Sequence, residues 1–244
     1  AGVLLAQLES PVDAIEAALA MAREAGTTTV LNPAPANAQA SMGLLRLADV
    51  LTPNETEFAA LLARQVGERM DPDSVAALDG ARLHALCRKL LPHGTVVVTM
   101  GSVGVFVSHA EEQLRGDAQP YYRIGAESVA ASDTTGAGDA FNGALAASLA
   151  RAPEQPFAAH VRYANRFAAL STERAGAAAS MPRAPPVLGT TTLFTFLMML
   201  ADAVTTALSG SAPSAFRASA AQYATAMGSV QPMAQTSSSS RMAT

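Results

Sequence analysis

The chain lacks most of the features that tie a sequence to a function by composition alone. It has one cysteine, Cys87, so no disulfide can close within it. Set in the helical stretch ARLHALCRKLL, that thiol reads as a small buried hydrophobe rather than a nucleophile. The histidines His84, His93, His109 and His160 are scattered without metal-ligand spacing and read as structural or surface residues. There is no Ser-His-Asp or Cys-His arrangement and no strong internal repeat. With 16 Lys and Arg against 20 Asp and Glu, the formal charge is −4 and the basic residues are dispersed, which argues against nucleic acid as a partner. The apolar run LFTFLMMLADAV is broken by Asp202 and is shorter than the roughly 20 residues a spanning helix needs, so no membrane association is expected. AGVLLAQLES opens without methionine on a short strand-like run with no basic residues before it. That is a poor signal peptide, and it reads as the interior of a longer parent sequence.

What is present is an alternation. Of 244 residues, 50% are hydrophobic, a size and composition suited to one α/β domain with an appendage. Strand-like runs (GVLLAQL, TTTVLN, LADVLT, GTVVVTMG, VGVFVSH, YYRI) are interleaved with amphipathic stretches up to about residue 183. The first helix reads as capped by Ser10, with Pro11 at its first position and Gly26 as its terminator. One helix is expected over DSVAALDGARLHALCRKLL, and two more over AFNGALAASLA and AAHVRYANRFAALST. Tyr121 and Tyr122 are expected to pack on the sheet. The pattern predicts a mainly parallel sheet covered on both faces, with ligands beyond the carboxyl ends of its strands. Glu9, Asn32, Asn54, Gly101 and Asp139 fall at those ends. Residues 184–244 carry only Asp202, Arg217 and Arg241 as charged side chains and finish in AQTSSSSRMAT, which reads as a low-complexity tail, partly helical or disordered. Met198 and Met199 within it read as core filler.

The chemistry concentrates in SDTTGAGDAF, residues 132–141. A Gly-Ala-Gly run lets backbone amides approach an oxyanion, and a helix opening near Asp139 adds its positive end. Such a nest suits a transferring phosphoryl group, and an aspartate beside it is placed to accept a proton from an attacking hydroxyl. The same residues also suit a plain helix cap. In TPNETE, Asn54 and Glu57 stand three apart at a helix start, where they could orient a hydrated Mg²⁺ or simply cap the helix. VVVTMGSVGVF ends a strand in a glycine turn that could hold a nucleotide.

Taken in order, these segments resemble the ribokinase-like family of carbohydrate kinases. DTTGAGDAFNGAL is similar to the family's C-terminal signature, TPNETE to its Asn-x-x-Glu motif, and VVVTMGSVGVF to its nucleotide-binding strand and loop. AQLESP and LNPAPA resemble its ribose-phosphorylating branch rather than the fructose or adenosine kinases. The resemblance covers residues 1–183 and implies a three-layer α/β/α, Rossmann-like fold that transfers the γ-phosphoryl group of ATP to the 5-hydroxyl of D-ribose. It implies Asp139 as base, with Gly136, Ala137 and Gly138 as the anion-holding amides. Nucleotide contacts would come from Asn54, Thr99, Gly101, Ser102, Val103, Gly104, Gly138 and Asn165. Glu9 and Asp139 would face the sugar, and Glu57 would act on Mg²⁺ through water. An activating K⁺ would lie among Asp133, Thr135, Ser171, Arg174, Gly176 and Ser180.

The family's N-terminal Gly-Gly motif, its early sugar-binding aspartate and its β-sheet lid have no counterpart, and no Gly-Gly pair occurs anywhere in the chain. The resemblance therefore implies a fold lacking its N-terminal strands and lid, together with the homodimer interface that the lid commonly forms. A cytoplasmic location is expected, or a nuclear one in a eukaryote. A single carboxylate cannot hold a sugar in line, so the chain alone is expected to phosphorylate ribose poorly or not at all. The other reading is a nucleotide-binding fragment without catalysis.

Overall fold

Apolar residues alternate along the strands, sending side chains to both faces of one sheet, and helices cover each face. The computed structural model describes residues 1–36 and 40–182. Strands β1 (Val3–Gln7), β2 (Thr28–Asn32), β3 (Val50–Leu51), β4 (Thr95–Thr99), β5 (Val105–Ser108) and β6 (Tyr121–Ile124) form a six-stranded sheet in sequence order. β1 to β4 run parallel, and β5 and β6 are added antiparallel as a meander. Leu31, Leu51, Val96 and Val98 pack on one side with residues of α1 (Val12–Glu24), α2 (Met42–Leu45), α3 (Glu55–Leu61) and α4 (Gly80–Leu90). Their neighbours Val30, Val50 and Val97 pack on the other side with Phe141 and Leu145 of α5 (Ala137–Arg151) and Val161 of α6 (Phe157–Ser171). Each such side chain contributes about 1.5–3 kcal/mol through burial, so both faces of the sheet are held by apolar packing. The expected α/β sheet with covered faces is the fold observed. The 184–244 tail, with Met198 and Met199, lies outside the described residues.

Local details differ from the sequence reading. The cap of α1 is Pro11 rather than Ser10: Pro11 has extended ψ (127°), and its carbonyl accepts from Ala14 and Ile15 N–H. The helix expected from residue 73 to 91 is broken. A 3₁₀ turn spans Pro72–Ala77, and α4 starts afresh at Gly80, where Asp79 accepts from Arg82 N–H at 2.9 Å. A carboxylate beside a glycine caps a new helix more favourably than it continues an old one. The short α2, capped by Ser41, has no counterpart among the expected elements. Among the described residues, no helix is long and apolar enough to cross a membrane.

A buried polar cluster closes the amino end of the parallel strands and also places α6. His109, fully buried, bridges Thr95 Oγ1 and Asp117 Oδ2. Tyr122 donates to the same Asp117 oxygen, and Asp117 Oδ1 accepts from Ala158 N–H at 2.9 Å. Pro156, at the start of α6, has no side-chain cap to offer, so Asp117 supplies that cap across the fold. Burial holds the His109 ring below its ordinary pKa, despite the neighbouring carboxylate. Tyr121, which stacks on His84, packs against the core on one face of the sheet and Tyr122 against the core on the other, as expected. Cys87 is fully buried, and burial pushes its thiol up to about 12.

Candidate active site

All four parallel strands end in one open cleft with a cavity volume of about 170 Å³. Gln7 and Asn32, the last residues of β1 and β2, are paired in register. Thr52 follows β3 and Thr99 ends β4, and these four residues form one wall of the cleft. The start of α3 contributes Asn54 and Glu57, and the turn into α5 contributes Thr134, Gly136, Ala137, Gly138 and Asp139. Two helix N-termini therefore converge above the strand ends, an arrangement that favours an anion.

The turn into α5 needs its glycine. Gly136 sits at φ 79°, and a Cβ there would lie 2.9 Å from the Cβ of Ala177. Ala137 N–H donates to the Thr134 carbonyl (3.1 Å) and Ala140 N–H to the Gly136 carbonyl (2.8 Å). Between them, the amides of Gly138 and Asp139 are early α5 donors left for a ligand, as is that of Gly136 before the helix, so within Gly136–Ala137–Gly138 it is the Ala137 amide that is already engaged. Asp139 is exposed in the first turn, and α5 has no side-chain cap. The helix-cap alternative for this aspartate is therefore not what the fold contains.

At the start of α3 both sequence readings coincide. Asn54 Oδ1 accepts from Glu57 N–H and Glu57 Oε2 accepts from Asn54 N–H, each at 2.9 Å, a complete capping box. Both residues also line the cleft. Glu57 is only 6% exposed, and burial raises its pKa against the opposing Asn54 amide bond. Because the cap occupies Asn54 Oδ1 and Glu57 Oε2, Oε1 is the glutamate oxygen left for the cleft.

Beyond Thr99 the chain makes a tight loop. Met100 N–H bonds the Gly104 carbonyl at 2.8 Å around a single 3₁₀ turn, Gly101–Val103. Gly104 (φ 104°) is pressed against the end of β6, so that a Cβ would lie 2.1 Å from the Ile124 carbonyl oxygen. Asn165 on α6 donates from Nδ2 to the neighbouring Gly125 carbonyl at 2.8 Å. Thr99, Asn54 and Gly138 line the cleft, whereas Gly101, Ser102, Val103, Gly104 and Asn165 lie outside its lining, with Gly104 and Asn165 both against residues 124–126. Glu9 is exposed and also outside the lining.

The later loop is tied to the turn from below. Ser132 and Asp133 N–H both donate to the Thr172 carbonyl, while Asp133 accepts from Thr135 N–H and from Gly176 N–H, each carboxylate bond at 2.9 Å. The Gly176 amide, and then Thr135, hold the Asp133 carboxyl down at about 2. Ser171 and Ser180 are buried and bond within their own turns, to the Ala168 and Ala177 carbonyls. Asp133, Thr135 and Gly176 are thus in direct contact. Arg174 is exposed.

The model of the pfkB family of carbohydrate kinases matches residues 1–184. The chain belongs to this family. It is 36% identical over 179 residues to the ribokinase of Haemophilus influenzae, covering 73% of this chain and 52% of that protein. It is 36% identical over 184 residues to the ribokinase of Mus musculus, covering 75% and 52%. This pfkB chain therefore spans about half the length of the relatives it matches. Among solved structures, the ribokinase of Arabidopsis thaliana complexed with ribose and ATP aligns with a TM-score of 0.61 at 27% identity, covering 75% of this chain and 53% of that one. The Thermotoga maritima ribokinase aligns with a TM-score of 0.58 at 28% identity, covering 75% and 54%.

Sequence reading missed Gln7, Ala34, Thr52, Thr134 and Asn142 in the cleft of this pfkB chain. Gln7 and Thr52 carried the same signal that singled out Asn32, a polar residue at a strand's carboxyl end. Asn142 carried a different one, an amide inside an alanine-rich helix.

Proposed function

We propose that this chain carries the phosphoryl-transfer chemistry of an ATP-dependent kinase that acts on the 5-hydroxyl of D-ribose. The observation that carries the reading is the meeting of Asp139, the α5 amides, Asn54, Glu57 and Thr99 in one cleft at the strand ends. The γ-phosphoryl group lies against the Gly138 and Asp139 amides, with the positive end of α5 behind it. The Asp139 carboxylate takes the proton of the attacking hydroxyl, and the 5-oxygen forms its bond to phosphorus as the bond to the ADP oxygen breaks. The rest of the nucleotide runs past Thr99 towards Gly101–Gly104 and Asn165, the positions that the family resemblance assigns to it.

Two ions fit the residues present. Asp133, held ionised by two amides and in contact with Thr135 and Gly176, would bind K⁺ in an all-oxygen set completed by the Thr135, Ser171, Arg174 and Gly176 carbonyls and the Ser180 hydroxyl. The capping box leaves Glu57 Oε1 for Mg²⁺, which fits contact through water rather than direct ligation by both residues. When bound, these cations supply positive charge to the phosphates and to the nest. A cytoplasmic setting suits the single buried thiol.

A specific observation favours a second reading, nucleotide binding without turnover. Glu9 lies outside the cleft lining, so of the two expected sugar contacts only Asp139 lines the cleft. ADP release with D-ribose, ATP, Mg²⁺ and K⁺ tests the choice, measured on this chain and on Asp139→Asn. Ribose-dependent release that is lost in the variant supports the kinase. ATP binding by calorimetry with no release in either protein supports the second reading, and absence of ATP binding contradicts both.

A further inference from the structure

Asn142 is an unusual residue for its position. It lies in the second turn of α5 and is 6% exposed, between neighbours that are almost all Ala, Leu or Phe. A buried amide inside a helix is unfavourable unless both of its ends are bonded. Here both are. Nδ2 donates to the Gly138 carbonyl one turn back at 3.0 Å, and Oδ1 accepts from the Thr52 hydroxyl at 2.6 Å, across 90 residues of sequence. The orientation follows from chemistry, because the Gly138 carbonyl can only accept and so must face the NH₂. Thr52, 1% exposed, is anchored in turn: Asn32 Nδ2 donates to its carbonyl at 2.8 Å. A directed chain of donors thus runs from the end of β2, through the residue after β3, into the first turn of α5.

We infer that Asn142, oriented by Thr52, is a positioning residue that sets the first turn of α5, with its Gly138–Asp139 peptide, against the strand ends. A trans peptide is planar, so fixing the Gly138 carbonyl also fixes the Asp139 N–H, which points the opposite way. The same bond polarises that peptide and strengthens its N–H as a donor. Most of a helix start is held only by its own cap. This one has a glycine cap without a side chain, so the tether from below replaces what a Ser or Asp would have supplied. The consequence for phosphate binding rests on the function proposed above.

The test separates placing from packing. Thr52→Val leaves the Asn142 carbonyl unpaired, whereas Thr52→Val/Asn142→Leu replaces both buried partners with apolar groups of similar size, which restores stability. In the double variant, the urea midpoint is expected near that of the parent. The Ala140 amide, the first intrahelical donor, is expected to exchange with deuterium about tenfold faster relative to Leu145. Affinity for Mg·ATP is expected to fall by about the same factor. Thr52→Ser, which keeps the hydroxyl, is expected to rescue the protection lost in Thr52→Val. Parental exchange at Ala140 in the double variant overturns the inference, as does a Thr52→Ser that exchanges like Thr52→Val. If the parent chain binds no ATP, the proposed function fails, while the exchange comparison still decides the role of Asn142.

Discussion

Alanine at Gly104 is expected to be far more damaging than alanine at Gly101, although both glycines belong to one loop and both have positive φ. At Gly101 (φ 48°) a Cβ would meet nothing within 4 Å, so the cost is that of the left-handed conformation, about 1 kcal/mol. At Gly104 (φ 104°, ψ −134°) the backbone lies where non-glycine residues are strained by about 1–3 kcal/mol. The added Cβ would also lie 2.1 Å from the Ile124 oxygen and 2.7 Å from the Ala126 nitrogen, both backbone atoms that cannot swing aside. Forcing them apart adds about 1–3 kcal/mol, for a total of about 4 kcal/mol. With a urea slope of about 2 kcal/mol per molar, Gly104→Ala should lower the unfolding midpoint by about 2 M and Gly101→Ala by about 0.5 M. Far-UV circular dichroism in urea measures both. Equal shifts, or a larger one for Gly101→Ala, would mean that the Ile124 and Ala126 backbone does not confine residue 104.

Three further outcomes follow from the same contacts. Asp117→Ala strips partners from His109, Tyr122 and Ala158 at once and should cost about 3 kcal/mol by urea unfolding. Cys87, buried with its thiol raised to about 12, should resist iodoacetamide at pH 8 in the native protein and react promptly in urea. The Asp133 carboxyl is depressed from 3.8 to about 2 by the Gly176 and Thr135 bonds. Its stabilising contribution is therefore complete above about pH 4 and lost as pH falls through 2. A carboxyl carbon titration by NMR with its midpoint at 3.8 or above would contradict those bonds.

The order and type of the main elements were legible because burial on both faces leaves strands with unbroken apolar runs, and Val30/Leu31 and Val50/Leu51 could pack no other way. What was not legible depended on tertiary competition. Asp79 ends one helical run and starts another because its carboxylate finds Arg82 N–H, which the apolar spacing alone conceals. Ser10 looked like a cap until the extended ψ of Pro11 moved the helix start one residue on. In the site, Asp139, Glu57 and Gly136 were readable because glycine spacing and acidic residues at helix starts have few uses. The Asn54–Glu57 pair was readable only as an ambiguity, and the fold contains both of its meanings. Thr52 and Asn142 were hidden because their bond spans 90 residues, and neither residue type signals a buried partner by itself.

In the proposed reaction, Asp139 and the first turn of α5 carry out phosphoryl transfer to a sugar hydroxyl. Single-turnover ³¹P NMR tests it most directly, with the chain in excess over ATP and with D-ribose, Mg²⁺ and K⁺ present, so that slow chemistry still registers. A phosphomonoester signal split by the two protons on C5 of ribose is expected, growing with ADP and absent in Asp139→Asn. ATP that stays intact, or that yields only inorganic phosphate, would contradict it.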